Sequence, residues 1–148
     1  MKNPQTLAEE LTHYFNDKNL KAVADYGCCA FVLMWCLGIE PDNDIDAVLK
    51  VIDLIQKKII KEDCTVEWAK AIKYLSGREL KEIKFVDSEY ISCIKKRTPV
   101  RYDYKGKSHW VGVENGVICF NPLAVSTCVT FGHPGSRREI KLTGEENE

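Results

Sequence analysis

The chain has 148 residues, of which 45% are hydrophobic and 29% are charged, and its formal net charge is −1 at pH 7. This length and composition predict one globular domain that can bury a sizeable core. A net charge near zero gives no electrostatic reason to expect a nucleic-acid partner. No apolar run is long enough to cross a bilayer, and the first residues lack the apolar centre of a signal peptide. We therefore expect no membrane insertion and a cytoplasmic location, or export without a cleaved signal.

Seven cysteines are an unusually high and odd number for this length. An odd number cannot be wholly paired within one chain, and a reducing compartment is expected, so most of the thiols are predicted to be free. The sequence has no Cys-x-x-Cys pair and no His-x-x-x-His pair, the spacings typical of a zinc site. We therefore expect no metal and no cofactor. Four cysteines fall within apolar patterns and are interpreted as core residues: Cys36, Cys64, Cys93 and Cys119.

The first half of the chain has apolar residues at helical spacing. An amphipathic helix is predicted over residues 4–15, and residues 16–26 form a polar turn and a segment that leads into a second turn. Residues 29–37 are apolar on every side, which is typical of a central, buried helix that Gly38 ends. Two more helices are predicted, over residues 45–59 with Asp44 as the cap, and over residues 65–75 with Gly77 as the stop.

The second half of the chain is predicted to be mostly sheet. Residues 81–86 read as a short strand, and residues 87–96 as a short helix. After Pro99 the apolar period changes to two, and Asn115-Gly116 is a strong hairpin signal. The strands predicted there cover residues 100–104, 108–114, 117–120 and 137–142. The predicted fold class is α+β, with a helical N-terminal part packed on a C-terminal antiparallel sheet. Residues 1–148 are taken as a single domain, in which residues 143–148 form a disordered tail.

A thiol stands immediately before the buried helix, in Gly27-Cys28-Cys29. The free backbone N–H groups and the dipole at a helix N-terminus favour a thiolate, so this position is expected to lower a cysteine pKa. Cys28 follows the turn glycine, whereas Cys29 would point about a hundred degrees around the helix, toward the core. Cys28 is therefore the preferred nucleophile. The alternative for a lone thiol at this position is simple core packing.

Two later segments contain the other residues that a thiol nucleophile needs. His109 lies in Ser108-His109-Trp110, at the beginning of a short apolar run, and Asn121 ends the next run before Pro122. A Cys, a His, and an Asn or Asp can act as nucleophile, general base and the group that orients the imidazole. Asp103, on the neighbouring strand, is the alternative third member. Asn121 is favoured because a hairpin brings it close to His109.

These three segments, residues 26–31, 108–113 and 120–122, resemble the papain-like cysteine peptidases. They are most similar to the peptidase domains of bacteriocin-exporting transporters and to the bacterial proteins related to them. Members of that branch have a Gly-Cys or Asp-Cys turn before an apolar helix, a strand that begins with His, and Asp-Pro or Asn-Pro after the next strand. The resemblance implies a papain-like fold and a cysteine peptidase or amidase that acts on a peptide or protein substrate. Cys28 would attack the amide carbonyl, His109 would be the base, and Asn121 would orient the imidazole.

The family also has a glutamine a few residues before the nucleophile, which donates to the oxyanion. Here the upstream amides are Asn19, Asn16, Asn3 and Gln5, of which Asn19 is nearest in the sequence. The candidate oxyanion donors are therefore the backbone N–H at Cys28 or Cys29 and the side chain of Asn19. The missing glutamine favours an alternative function, a catalytically inactive papain-like fold that binds a peptide or protein. A third reading, a redox or metal protein, is permitted by the number of cysteines but not supported by their spacing.

Overall fold

Residues 1–145 are described by the computed structural model, and they form six helices and five strands. In chain order these are α1 (Pro4–Leu11), α2 (Lys18–Tyr26), α3 (Cys28–Cys36), α4 (Asp44–Gln56), α5 (Trp68–Ser76), β1 (Leu80–Asp87), β2 (Thr98–Tyr104), β3 (Lys107–Glu114), β4 (Val117–Phe120), α6 (Thr127–Phe131) and β5 (His133–Leu142). The α+β class predicted from the sequence is confirmed, because five helices come first and an antiparallel sheet follows.

The sheet is antiparallel throughout, with the strand order β1-β5-β2-β3-β4. The last strand, β5, lies between β1 and β2, which are far apart in the sequence. The short edge strand β4 pairs with β3 only opposite Gly112, Val113 and Glu114. Within residues 1–145, the first half of β3 therefore has β2 on one side and no strand on the other, which leaves an open notch at this edge of the sheet.

The two faces of the sheet are covered differently. The larger core lies between the helices and one face, and α3 is buried in it on nearly every side, as its sequence predicts. At Gly112, a side chain would overlap the ring of Trp35, which also stacks on Phe120 with 6.1 Å between the ring centroids. The other face has a smaller core that includes Val111 and Val113, covered in part by Cys128 of α6.

Some helix predictions need correction. The segment before Gly27 is itself a helix, α2, and the side chain of Asp17 caps it by accepting from the N–H groups of Asn19 and Leu20. Asn43, rather than Asp44, caps α4, and the Asp44 carboxylate instead accepts from the backbone at residues 2 and 3. The predicted cap was wrong because a tertiary contact with the N-terminal segment uses the same carboxylate.

The predicted helix over residues 87–96 is absent, because its first two residues, Asp87 and Ser88, pair with β5 instead. The carbonyl groups of Ile94 and Lys95 accept hydrogen bonds from the N–H groups of the β3–β4 turn, at Gly116 and Asn115. These carbonyls pair with another part of the chain, and Tyr90, which was expected to face inward, is 73% exposed. Helix α6 was not predicted, and β5 begins at His133, four residues before the predicted strand.

Two of the four cysteines that were predicted to lie in the core are exposed. Cys64 is buried as predicted, whereas Cys93 and Cys119 are exposed, and all seven thiols are free. At the start of the predicted tail, the Glu145 carboxylate lies 3.8 Å from Arg78 and 3.5 Å from Lys96. Residues 146–148 of that predicted tail lie outside the described residues. No helix within residues 1–145 has the length and apolar character needed to cross a bilayer.

Candidate functional site

The junction of α2 and α3 fixes the position of Cys28. Gly27 joins the two helices without a loop, in a helical conformation with φ −74° and ψ −7°. A Cβ atom at Gly27 would lie 2.5 Å from the Val23 carbonyl oxygen and 3.1 Å from Cε2 of Phe31. Only glycine fits this approach, because it has no Cβ. The close junction makes Cys28 the first residue of α3 and buries its side chain.

The Cys28 sulfur contacts backbone hydrogen-bond donors and little water. Burial is the largest influence and raises the pKa of this thiol, while hydrogen bonds from the backbone of Trp110, Cys29 and Cys28 itself act in the opposite direction. These bonds come from N–H groups, because only a donor stabilises a thiolate. The helix start thus supplies the expected donors, yet the net pKa is raised rather than lowered. The thiol is protonated at neutral pH.

His109 is paired with Asn121 on the strand edge beside this thiol. The Nε2 atom of His109 lies 2.7 Å from Oδ1 of Asn121, and the backbone N–H of Leu123 donates to the same oxygen at 3.0 Å. An amide oxygen only accepts, so Nε2 carries the hydrogen and Nδ1 of the neutral ring is free to accept a proton. Burial lowers the pKa of His109, against the opposing effect of the Asn121 hydrogen bond.

Asp103, the alternative third member, is engaged elsewhere. Its carboxylate accepts from Nε of Arg101 at 2.9 Å, from Nη2 of Arg101 at 3.1 Å, and from the Ser108 hydroxyl at 2.9 Å. Among the described residues, the imidazole of His109 has a hydrogen bond to Asn121 and none to Asp103. The structure therefore brings Asn121, and not Asp103, to the imidazole.

The Cys28 thiol lies against the residue that follows His109, and it is not bonded to the His109 ring. The thiol contacts the backbone of Trp110, the residue after His109, at the notch where β4 has ended. No hydrogen bond joins the thiol to the imidazole anywhere in the part of the chain that the structure describes. Since the pKa of the thiol is raised and that of the imidazole is lowered, both groups are neutral at pH 7.

Asn19, the predicted oxyanion donor, is not brought to this site. It lies in the first turn of α2, whereas Cys28 follows the last turn. At about 1.5 Å per residue, the length of α2 puts roughly 10 Å between Asn19 and Tyr26 alone. The backbone N–H of Cys29, the other predicted donor, does contact the Cys28 sulfur.

Gln5 is the upstream amide that the fold brings to the α2–α3 junction. Its Nε2 donates to the carbonyl of Ala24, four residues before Cys28, at 3.0 Å, and its backbone N–H donates to the carbonyl of Pro122 at 3.0 Å. The side chain is only 3% exposed, and its Oε1 has no partner among the described residues. The sequence contains this glutamine, but 23 residues before the thiol, so only the packing of α1 reveals its position.

A cleft of about 320 Å³ opens over the thiol. Its walls include Asp25 and Tyr26 from α2, Cys64 from the loop after α4, and Trp110 and Arg138 from the sheet. Neighbouring side chains in a strand point to opposite faces, so the His109 ring lies on the other side of β3 from the Trp110 ring. Cys28 lines this cleft together with Ser108 and Trp110, the two neighbours of His109 in β3.

Neither a metal site nor a known relative explains this arrangement. Within residues 1–145, no group of three or more His, Cys, Asp or Glu side chains is arranged to hold a metal ion. Comparison with protein-family models, with curated proteins and with solved structures finds no match to this chain.

Proposed function

We propose that this chain is a cysteine hydrolase of papain-like fold that cleaves an amide bond in a peptide or protein substrate. The proposal rests on the pairing of His109 Nε2 with Asn121 Oδ1 at 2.7 Å, next to a thiol that contacts the backbone of the following residue. This pairing leaves Nδ1 of the imidazole as the proton acceptor, which is the role that a general base needs. A cytoplasmic location is part of the proposal, because seven free thiols suit a reducing compartment.

The neutral state of both groups implies a general-base mechanism rather than a preformed ion pair. As the Cys28 sulfur bonds to the substrate carbonyl carbon, its proton passes to Nδ1 of His109. The imidazolium then protonates the leaving amine, the C–N bond breaks, and a thioester remains on Cys28. Water attacks the thioester with His109 again as the base, which releases the acid and restores the thiol. Asn121 holds the ring in one tautomer throughout these steps.

The oxyanion that forms on the carbonyl needs donors at the thiol. The backbone N–H groups of Cys28 and Cys29 at the start of α3 are in position to donate, since both already contact the sulfur. For the side-chain donor we replace Asn19 with Gln5, whose buried amide packs between the end of α2 and the Asn121-Pro122 segment. A rotation of this amide would have to exchange its bond to Ala24 for one to the substrate.

The raised pKa of Cys28 and its missing bond to His109 favour a second candidate function. In that case the chain is a catalytically inactive papain-like fold, and the cleft holds a peptide or protein without cleaving it. The two candidates differ in whether His109 activates the thiol, which an alkylating reagent can measure without a known substrate.

The test is the rate at which iodoacetamide alkylates Cys28 at pH 7, followed by mass spectrometry in the wild type and in His109→Ala. If His109 is the base, removing it slows alkylation of Cys28 by about a hundredfold, the usual contribution of general-base catalysis. The exposed Cys93 and Cys119 are internal standards, and continued protection of the buried Cys128 on α6 shows that the variant is folded. Equal rates at Cys28 in the two proteins would instead support the binding module.

A further inference from the structure

Arg138 is a cation in the wall of the cleft. Within residues 1–145 it forms no ion pair, although the Asp87 carboxylate acts on its charge from farther away. Its guanidinium stacks 3.9 Å from the ring centroid of Phe85 and lies 5.0 Å from that of Trp110. Its Nη1 donates to Oγ of Ser136 at 2.8 Å and to the carbonyl of Arg137 at 3.3 Å. Its Nε is buried without a partner, and none of the ion pairs in residues 1–145 includes Arg138. A guanidinium offers five donors, so several remain for a ligand.

The two carboxylates that line this cleft are already engaged. Asp25 lies 3.5 Å from Lys21, and Asp63 accepts from the backbone of Thr65. Arg101, whose positive charge acts on Arg138, makes a two-bond contact with Asp103. Arg138 therefore differs from Arg101, because its charge is held between two aromatic rings and its Nη2 donates to no group within residues 1–145. A planar guanidinium in this state suits a carboxylate, which it binds through two parallel hydrogen bonds.

The position of Arg138 relative to the thiol limits which part of a substrate it can reach. The Trp110 ring lies against the guanidinium, and the Trp110 backbone contacts the Cys28 sulfur. One residue of β3 thus separates the cation from the nucleophile, and both line the same cleft. A carboxylate bound to Arg138 would hold a nearby amide over Cys28.

We infer that Arg138 is a specificity-determining residue that binds a carboxylate next to the amide bond that Cys28 attacks. This inference rests on the proposed hydrolase function. The carboxylate is either the C-terminus of a peptide or the side chain of an Asp or Glu next to the cleaved bond. Both sources present the same planar anion to the guanidinium.

The test compares two alkylating reagents of almost the same shape, iodoacetate, which carries a carboxylate, and neutral iodoacetamide. We expect the ratio of their rates at Cys28 to be higher than at the exposed Cys93, and to fall about tenfold in Arg138→Gln. Arg138→Lys keeps the charge but not the planar fork, so an intermediate ratio is expected. If Arg138 only packs between Phe85 and Trp110, the ratio stays the same in every variant, and the inference is overturned.

Arg137→Gln is the matched control. Arg137 is the neighbour of Arg138 on β5, but it pairs with Glu139 at 2.9 Å and lies on the opposite face of the strand. Its removal changes the net charge equally and should leave the rate ratio at Cys28 unchanged. An equal fall in both variants would mean that the ratio reports overall charge, and would also overturn the inference.

Failure of this inference can be told apart from failure of the hydrolase proposal. If iodoacetamide labels Cys28 equally fast with and without His109, the proposed hydrolase fails, and the role of Arg138 fails with it. If labelling depends on His109 but the reagent ratio does not depend on Arg138, only the carboxylate site is wrong.

Protection experiments distinguish the two sources of the carboxylate. N-acetyl-glycylglycine ends in a free carboxylate, N-acetyl-glutamyl amide has only a side-chain carboxylate, and N-acetyl-glutaminyl amide has neither. Slower labelling of Cys28 by iodoacetamide with the first compound indicates a terminal carboxylate, and with the second an acidic side chain. Equal protection by all three, unchanged in Arg138→Gln, would contradict carboxylate recognition.

Discussion

The two halves of β3 have opposite roles although they belong to one strand of eight residues. Its second half pairs with β2 on one side and β4 on the other, and Gly112 lets Trp35 of α3 pack directly on the backbone. β4 does not extend along the first half of β3. The free edge of this half contacts the Cys28 thiol, and His109 bonds to Asn121. The first half holds polar, titratable groups, and the second half fixes α3 against the sheet. The end of β4 therefore divides β3 into a half that packs against α3 and a half that lies at the candidate site.

The largest effect should come from Cys28→Ala, which removes the proposed nucleophile from the free edge of the first half of β3. We expect complete loss of amide hydrolysis, measured by mass spectrometry on a mixture of peptides, with little change in the urea midpoint. Cys29→Ala is the matched control, since the neighbouring thiol has no assigned role in bond cleavage and should leave turnover largely intact. Turnover that survives in Cys28→Ala would end the nucleophile hypothesis.

Gly112→Ala tests the second half of the strand. A Cβ at this position overlaps the six-membered ring of Trp35, which is held between Phe120 and the guanidinium of Arg97, 4.4 Å from the Trp35 ring. We expect a loss of about 1–3 kcal/mol in the free energy of unfolding, the usual cost of overpacking a core. Urea denaturation measures it.

The exposed Lys107→Ala, in the same strand, is the control for that measurement and should change the free energy of unfolding little. Below the unfolding transition, alkylation of Cys28 in Gly112→Ala should still depend on His109. If Gly112→Ala is as stable as the wild type, the contact of α3 with β3 is less tight than the structure indicates.

The smallest effect is the pH dependence of stability that His109 contributes. Its pKa in the folded chain is lowered by burial, so the unfolded chain binds a proton at about pH 6.5 while the folded chain does not. The contribution is therefore complete above that pH and is lost as the pH falls from about 6.5 toward the folded pKa. The slope is at most about 1.4 kcal/mol per pH unit.

Urea midpoints of the wild type and His109→Gln, measured from pH 7.5 down to 5.5, would show this contribution as a difference in slope. The glutamine amide can still donate to Asn121, so the comparison isolates the titration of the imidazole. Parallel curves would mean that His109 has the same pKa in both states, which is inconsistent with its burial.

Local sequence patterns determined most of the secondary structure. The apolar run of α3, the period of two in β2 and β3, and the Asn115-Gly116 turn each depend on neighbouring residues, and all three are found in the structure. The helix predicted over residues 87–96 was wrong, because its first residues pair with β5, which is far away in the sequence. The sequence was sufficient to predict the three candidate site residues, because each begins or ends a recognisable segment. These residues are Cys28, His109 and Asn121, and a hairpin joins the last two.

Only the tertiary structure decided which polar groups surround the thiol. The sequence ranks amides by distance along the chain, which favoured Asn19, whereas the packing of α1 brings Gln5 to the α2–α3 junction. No sequence pattern distinguishes Arg138 from other charged surface residues, since nothing local places the last strand between β1 and β2. The pKa of Cys28 was predicted in the wrong direction, because burial by distant parts of the chain outweighs the helix start. Periodicity is a local property of the chain, whereas desolvation and the partners of a buried group depend on contacts between residues far apart in sequence.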